Sequence, residues 1–235
     1  MRIDKLLANT GYGSRKEIKK LLKTGGLKVD GTVVKDPAIH VDPDKNFIEL
    51  FGEKVEYKPY IYLMMNKPSG VISATEDQVE QTVIDLLDAD DAMYEPFPVG
   101  RLDKDTTGLL LLTNDGKMAH QLTSPKKKVN KVYRVHLDEP VSREDEDVLR
   151  SGVELDDGYI TKPAELEYPG EDRTVLLLTI TEGKFHQVKR MFQARGRKVV
   201  ALKRESIGAL QLDPALLPGE YRELSKAEIS SLKIQ

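Results

Sequence analysis

No cysteine occurs in the 235 residues, which excludes disulfides, thiolate catalysis, iron–sulfur clusters and cysteine-bound zinc. Histidine is nearly as scarce. The four present, His40, His120, His136 and His186, are widely spaced and lack the pairing of metal ligands, so no metal cofactor is expected. Long apolar runs are missing as well. The start, MRIDKLLANTG, has no apolar h-region, and no later stretch approaches the ~20 residues of a membrane span. The expected compartment is the cytoplasm, with no membrane partner. A large net charge is lacking too, at −3, and no internal repeat or low-complexity tract is present.

What the chain does have is an uneven charge distribution. Residues 1–35 hold nine Lys or Arg against three acids, a local charge of +6, so the rest of the chain carries −9. A basic head on an acidic body points to an electrostatic docking module at the N-terminus. Its local structure is legible. Arg2 to Ala8 suits a short helix, broken at Gly11-Tyr12-Gly13. Ser14-Arg15-Lys16-Glu17 is a capping box that opens a second helix, ending near Lys23 before Gly25-Gly26. Ile18, Leu21 and Leu22 form its apolar face, opposite a stripe of Arg15, Lys16, Lys19, Lys20 and Lys23. Leu27–Val29, Asp30-Gly31 and Thr32–Val34 then predict a hairpin with a two-residue turn.

Phe51 to Pro59 is polar and holds a Gly and a Pro, which predicts a link between domains 1–58 and 59–235. The second domain alternates strand-like and helical segments. Strands are expected at Ile61–Met65, Leu109–Thr113, Val132–Leu137, Val175–Thr181 and Val199–Lys203. Helices are expected at Thr82–Leu87, Lys117–Thr123, Arg143–Ser151 and His186–Ala194. The irregular connections favour an α+β fold with a mixed, mostly antiparallel sheet and flanking helices over strict βαβ repetition. No heptad or apolar stripe calls for a second copy, so a monomer is expected.

Chemistry is concentrated in four segments. GRLDKDTTGLLLLTNDG (Gly100–Gly116) sets Asp103 on a Gly-framed loop before four leucines that suit a buried strand, with Arg101 two residues away. Asn66-Lys67-Pro68-Ser69-Gly70-Val71 suits a tight basic turn. Lys131-Val132-Tyr133-Arg134-Val135 alternates so that Lys131, Tyr133 and Val135 share a face. EGKFHQVKRM passes from a Gly turn through His186 and Gln187 into a helix bearing Lys189 and Arg190, with Val188, Met191 and Phe192 inward. Taken singly, each has an ordinary structural use. Asp103 suits a turn, Tyr133 a packed core, His186 a helix start, and the lysines and arginines a solvated face.

In this order the segments resemble one family, the pseudouridine synthases of the RsuA type, which join an S4 domain to a catalytic domain. The resemblance spans nearly the whole chain. The long Gly100–Gly116 segment is its most specific part, NKPSGV, KVYRV and EGKFHQVKRM agree in register, and the tail KRESIGALQLDPALLPGEYREL fits the same subfamily. GYGSRKEIKKLLKTGGLKVDG is similar to the second helix and hairpin of the S4 domain. That implies an RNA-binding α/β head, with Arg2, Arg15, Lys16, Lys19, Lys20 and Lys23 meeting phosphates that anchor RNA without reading its sequence.

The resemblance implies that Asp103 is the catalytic aspartate, that Tyr133 stacks on the target base, and that Lys189 is the cation paired with the aspartate. Arginine is more usual at that last position, which leaves Lys189 and the adjacent Arg190 as alternatives. Arg101, Lys67, His186, Gln187 and Arg190 are the implied substrate contacts. The family reaction detaches uracil from ribose C1′ and rejoins it through C5. Nothing is oxidised and no second substrate donates a group, so no cofactor is implied. The FHQVK form resembles the enzyme acting on uridine 516 of 16S rRNA in the small subunit, whether naked or assembling. Large-subunit (23S) enzymes tend to carry Arg in place of His186. Two other classes fit less well. One is a catalytically silent rRNA-binding assembly factor, and the other a glycoside hydrolase using Asp105 or Asp115 as its second carboxylate.

Overall fold

Leu109 to Leu112 are fully buried because the strand containing them lies inside a large sheet. In the computed structural model, residues 1–232 are described, and the chain divides into two units. The first comprises Met1–Ile61 and Asp88–Glu95, the second Tyr62–Leu87 and the chain from Pro96 onward.

The first unit contains α1 (Ile3–Asn9), α2 (Arg15–Lys23), β1 (Leu27–Val29), β2 (Thr32–Val33), β3 (Ile48–Leu50), β4 (Glu53–Lys54) and the short α3 (Ala89–Ala92). Its antiparallel sheet has the order β2-β1-β3-β4. The capping box is present. The Ser14 hydroxyl accepts from the Glu17 amide, and the Glu17 carboxylate accepts from the Ser14 amide at 2.8 Å. Asp30 and Gly31 both take positive φ, 50° and 79°, as a two-residue hairpin turn demands. Leu6, Ile18, Leu22, Leu27 and Ile48 close the core. The expected link at Phe51–Pro59 needs correction. Phe51-Gly52 is the turn between β3 and β4, and Val55 is buried in the core of this unit.

The second unit holds β5 (Tyr62–Lys67), β6 (Phe97–Pro98), β7 (Thr107–Thr113), α4 (Gly116–Thr123), β8 (Lys131–Leu137) and α5 (Arg143–Ser151). It continues with β9 (Glu165–Glu167), β10 (Val175–Ile180), α6 (Gln187–Gln193), β11 (Val199–Ile207), β12 (Leu210–Gln211), β13 (Tyr221–Glu223) and α7 (Lys226–Leu232). The main order is β13-β5-β7-β11-β8-β10-β9, with β6 beside β7 and β12 beside β11. β7 and β11 run parallel, and the other described pairs are antiparallel. This is the mixed, mostly antiparallel α+β sheet expected from the sequence. Leu109 and Leu111 pack with Met64, Met118 and Leu122, and each fully buried leucine contributes about 1.5–3 kcal/mol.

At Gly108 the two parallel strands come very close. A Cβ there would meet the Arg204 carbonyl oxygen at 2.3 Å, so this position on β7 has room only for glycine. At the C-terminal end, Arg222 on β13 donates to Glu228 on α7 at 2.8 and 3.0 Å and to Asp213 at 2.6 Å. Its hydrogen bonds with Arg222 pull the Glu228 carboxyl down to about 2.

Thr82–Leu87 is not a helix. The Ile72 amide donates to the Gln81 carbonyl and the Val83 amide to the Ile72 carbonyl, each at 3.0 Å. These bonds hold Thr82 in a bridge beside Ile72, and the chain then makes a single tight turn, with the Leu87 amide donating to the Ile84 carbonyl at 3.0 Å, while Asp85 accepts from the Thr82 amide and hydroxyl at 2.8 and 3.0 Å. Among the described residues no helix is long and apolar enough to cross a membrane.

Candidate active site

The loop between β6 and β7 is fixed at several points. Gly100 turns it with φ 76°. Ser73 Oγ donates to the Leu102 carbonyl at 3.0 Å and accepts from the Leu102 amide at 3.1 Å. The Thr106 amide donates to the Asp103 carbonyl at 3.0 Å. Lys67, read from the sequence as part of a tight basic turn, is the last residue of β5 and is fully buried. Its ammonium donates to the carbonyls of Pro68, Lys104 and Thr106 at 3.0, 3.3 and 3.0 Å. Burial pushes it down to about 8, against the pull of Asp105 and Asp103. Lys67 therefore braces the Asp103 loop through its backbone carbonyls.

Asp103 projects from this loop toward the start of α6. Lys189 Nζ lies 3.2 Å from its Oδ2 and His186 Nε2 lies 3.5 Å from its Oδ1. The same ammonium lies 2.5 Å from Asp105 Oδ1. Burial lowers Lys189, but its hydrogen bonds to Asp105 and Asp103 outweigh that, and the net shift is upward. Asp105 is held below the usual carboxylate range by its hydrogen bond from Lys189. Of the two cations left open by the sequence, Lys189 is the one beside Asp103. Arg190 turns away to Asp156 and Asp157.

His186 precedes α6 in a left-handed conformation, φ 48° and ψ 31°. Such a backbone is costly for a residue with a Cβ and is held only where its surroundings fix it. Its ring stacks on Phe185, with centroids 3.8 Å apart and planes at 17°. Gln187 is buried. It accepts from the Lys184 amide at 2.8 Å and donates to Glu182 at 2.7 Å, so it braces the turn.

Asp103 opens into a cleft of about 420 Å³ that Arg101, Thr106, Tyr133, His186 and Gln187 help to line. Tyr133 lies in β8, opposite Arg204 on β11 and Leu178 on β10, and the neighbouring strands fix its ring. A second cavity of about 630 Å³ shares Arg101, Tyr133 and Gly183 and adds Lys131 and Arg204. Burial, reinforced by Arg204, pushes Lys131 down to about 8. Arg204 donates from Nε to the Leu109 carbonyl at 2.8 Å, while its Nη2 has no partner. Among the described residues no acidic or histidine cluster is suited to hold a metal.

Sequence reasoning did not single out Glu182, Thr106 or Arg204 for this region. Glu182 is buried and accepts from the Tyr159 hydroxyl, the Lys162 amide and Gln187. The only local sign was a carboxylate just before the Gly183 turn. In the first unit Arg15, Lys16, Lys19, Lys20 and Lys23 are exposed along α2. Arg2 is instead tied to buried Asp4 by hydrogen bonds of 3.0 and 2.8 Å.

A carboxylate with a cation at hand and an aromatic wall beside it, in a chain that also carries a separate basic module, suit an enzyme that modifies a nucleic acid. Comparison with known proteins specifies the class. The RNA pseudouridylate synthase family model matches residues 61–194, and the S4 domain model matches residues 1–46. The uncharacterized RNA pseudouridine synthase YtzG of Bacillus subtilis is 58% identical over 234 residues, covering 99% of this chain and 98% of its own. Ribosomal small subunit pseudouridine synthase A of Vibrio cholerae is 45% identical over 233 residues, covering 99% of both chains. A crystal structure of a pseudouridylate synthase superposes with a TM-score of 0.69 at 37% identity, covering 99% of each chain. The chain belongs to the RNA pseudouridine synthases, in the RsuA-type branch that carries an S4 domain.

Proposed function

We propose that this protein isomerises uridine to pseudouridine in 16S rRNA, at uridine 516, in the cytoplasm and as a monomer. The supporting observation is Asp103 at the cleft, with Lys189 3.2 Å from its carboxylate. The N1–C1′ bond of the target uridine breaks and a C5–C1′ bond forms. The C5 hydrogen leaves as a proton, and N1 takes one up. Asp103 carries this step, as a nucleophile toward sugar or ring or as a base toward C2′. Lys189 offsets the cost of holding a partly buried carboxylate in its ionised form. Tyr133 stacks on the uracil once it has left its helix. The exposed lysines of α2 anchor the RNA through its phosphates. The small-subunit target rests on the likeness to the ribosomal small subunit pseudouridine synthase A of Vibrio cholerae and on the His186 form of the last motif.

Tritium release from rRNA transcripts labelled at uridine C5 tests the proposal. The wild type is expected to release tritium from small-subunit transcripts or their protein-bound assembly intermediates, and not from large-subunit ones. Asp103→Asn is expected to lose roughly 10³-fold or more in turnover while RNA binding changes only a few-fold. Equal loss of both would separate Asp103 from the chemistry. Silence of the wild type on every substrate would leave an RNA-binding assembly factor.

A further inference from the structure

Phe185 is 69% exposed, although it is only one residue from His186, whose ring reaches Asp103. One face of its ring lies against His186. The other is open at the rim of a wider cleft of about 1100 Å³, to which Asp103, Arg101, Lys104, Lys184 and Ile72 contribute. The backbone beneath it is fixed. The Lys184 amide donates to Gln187, the Gln187 amide donates to the Lys184 carbonyl at 3.1 Å, and Arg190 reaches the Phe185 carbonyl at 3.4 Å. The left-handed turn at His186 is what presents the two rings as a stack.

Among the described residues nothing covers the outer face of this ring, and the charges around it favour one occupant. Arg101 is exposed and makes no ion pair among the described residues, and Lys184 is exposed above the Tyr159 ring at 4.4 Å. A rigid, open aromatic face with cations nearby suits an unstacked nucleobase and its phosphates. A greasy protein segment would gain less from the arginine and the lysine.

Resting on the assignment of RNA uridine as the substrate, we propose that Phe185 is a stacking platform for the base flanking the target uridine. Arg101 and Lys184 would take the adjoining phosphates. The column would then run from the flanking base through Phe185 and His186 to Asp103, so that a seated neighbour registers the target over the carboxylate. This makes Phe185 a binding residue outside the chemistry, one that positions the target without reading the identity of its neighbour.

The test uses the full chain and 16S fragments carrying 2-aminopurine 5′ or 3′ of the target uridine. Binding is expected to quench the probe at one of the two positions. Phe185→Leu is expected to lose the quench and raise KM about 5- to 100-fold with a smaller change in kcat, whereas Phe185→Tyr retains both values. Unchanged quenching and KM in Phe185→Leu, or no quenching at either position in the wild type, would overturn the platform. Quenching without tritium release would sink the uridine assignment and reduce Phe185 to a platform for an unstacked RNA base. Tritium release with Phe185→Leu unaffected would sink the platform and leave the uridine assignment standing.

Discussion

The ammonium of Lys67 donates to the carbonyl of Thr106 across 3.0 Å, joining the end of β5 to the end of the Asp103 loop. With the bonds to Pro68 and Lys104, all three ammonium hydrogens are used on backbone. Lys67→Met would keep the volume and strand those carbonyls. The expected cost is about 1–3 kcal/mol, a Tm drop on the order of 2–10 °C. Because the loop carries Asp103, kcat is expected to fall more than KM rises. Thermal denaturation beside tritium-release kinetics checks both, and an unaltered kcat in a destabilised variant would confine Lys67 to stability.

Lys189 serves two carboxylates, so its loss should be felt at both. Lys189→Met is expected to reduce kcat roughly 10²-fold, whereas Lys189→Arg should remain within about tenfold because it keeps a cation at that place. Arg190→Met, whose guanidinium is engaged with Asp156 and Asp157, is expected to stay near wild type. A larger loss from Arg190→Met than from Lys189→Met would exchange their roles.

The exposed stripe on α2 is expected to act through charge alone. Reversing Lys16, Lys19 and Lys20 to Glu should weaken binding to rRNA fragments and flatten the plot of log affinity against log salt by about 2–3. Titrations at several potassium chloride concentrations measure the slope. An affinity and slope equal to wild type would remove the stripe from RNA docking.

Acid stability depends in part on Glu228. Its folded value of about 2 lies below the ordinary 4.5, so its contribution is present above pH 4.5 and is lost as pH falls through about 2. After solvent screening, this is on the order of 1–2 kcal/mol. Urea unfolding at pH 6, 4 and 3 should therefore show a shallower loss of stability in Glu228→Gln than in wild type. Parallel curves would show that the Arg222 pair contributes no differential stability.

The parts legible in the sequence were those written in local spacing. The Ser14–Glu17 box, the Asp30-Gly31 turn, the alternation around Tyr133 and the leucines of β7 each follow from residues within a few positions of one another. Thr82–Leu87 misled because Val83, Leu86 and Leu87 repeat at helical spacing. The deciding hydrogen bonds go to Ile72 and Gln81, and composition says nothing of them. Lys67 misled for a related reason. A charged residue before Pro-Ser-Gly suggests solvent, yet the carbonyl of neighbouring Pro68 and two from the distant Asp103 loop make its burial tolerable. The choice between Lys189 and Arg190 could not be made from adjacency, since it depends on where Asp105 and the Asp156-Asp157 pair lie in space.

The assignment of Asp88–Glu95 to the first unit has a genetic consequence. The polypeptide passes between the units three times, at Ile61–Tyr62, Leu87–Asp88 and Glu95–Pro96. A single protease nick at Ile61–Tyr62 severs the N-terminal 61 residues but leaves Asp88–Glu95 on the other fragment. A chimera that exchanges only the N-terminal 61 residues with a relative would combine a foreign head with this chain's own α3. Swapping RNA-docking specificity between such enzymes therefore requires two segments to move together, which makes the head less of a detachable cassette than its place at the start of the chain suggests.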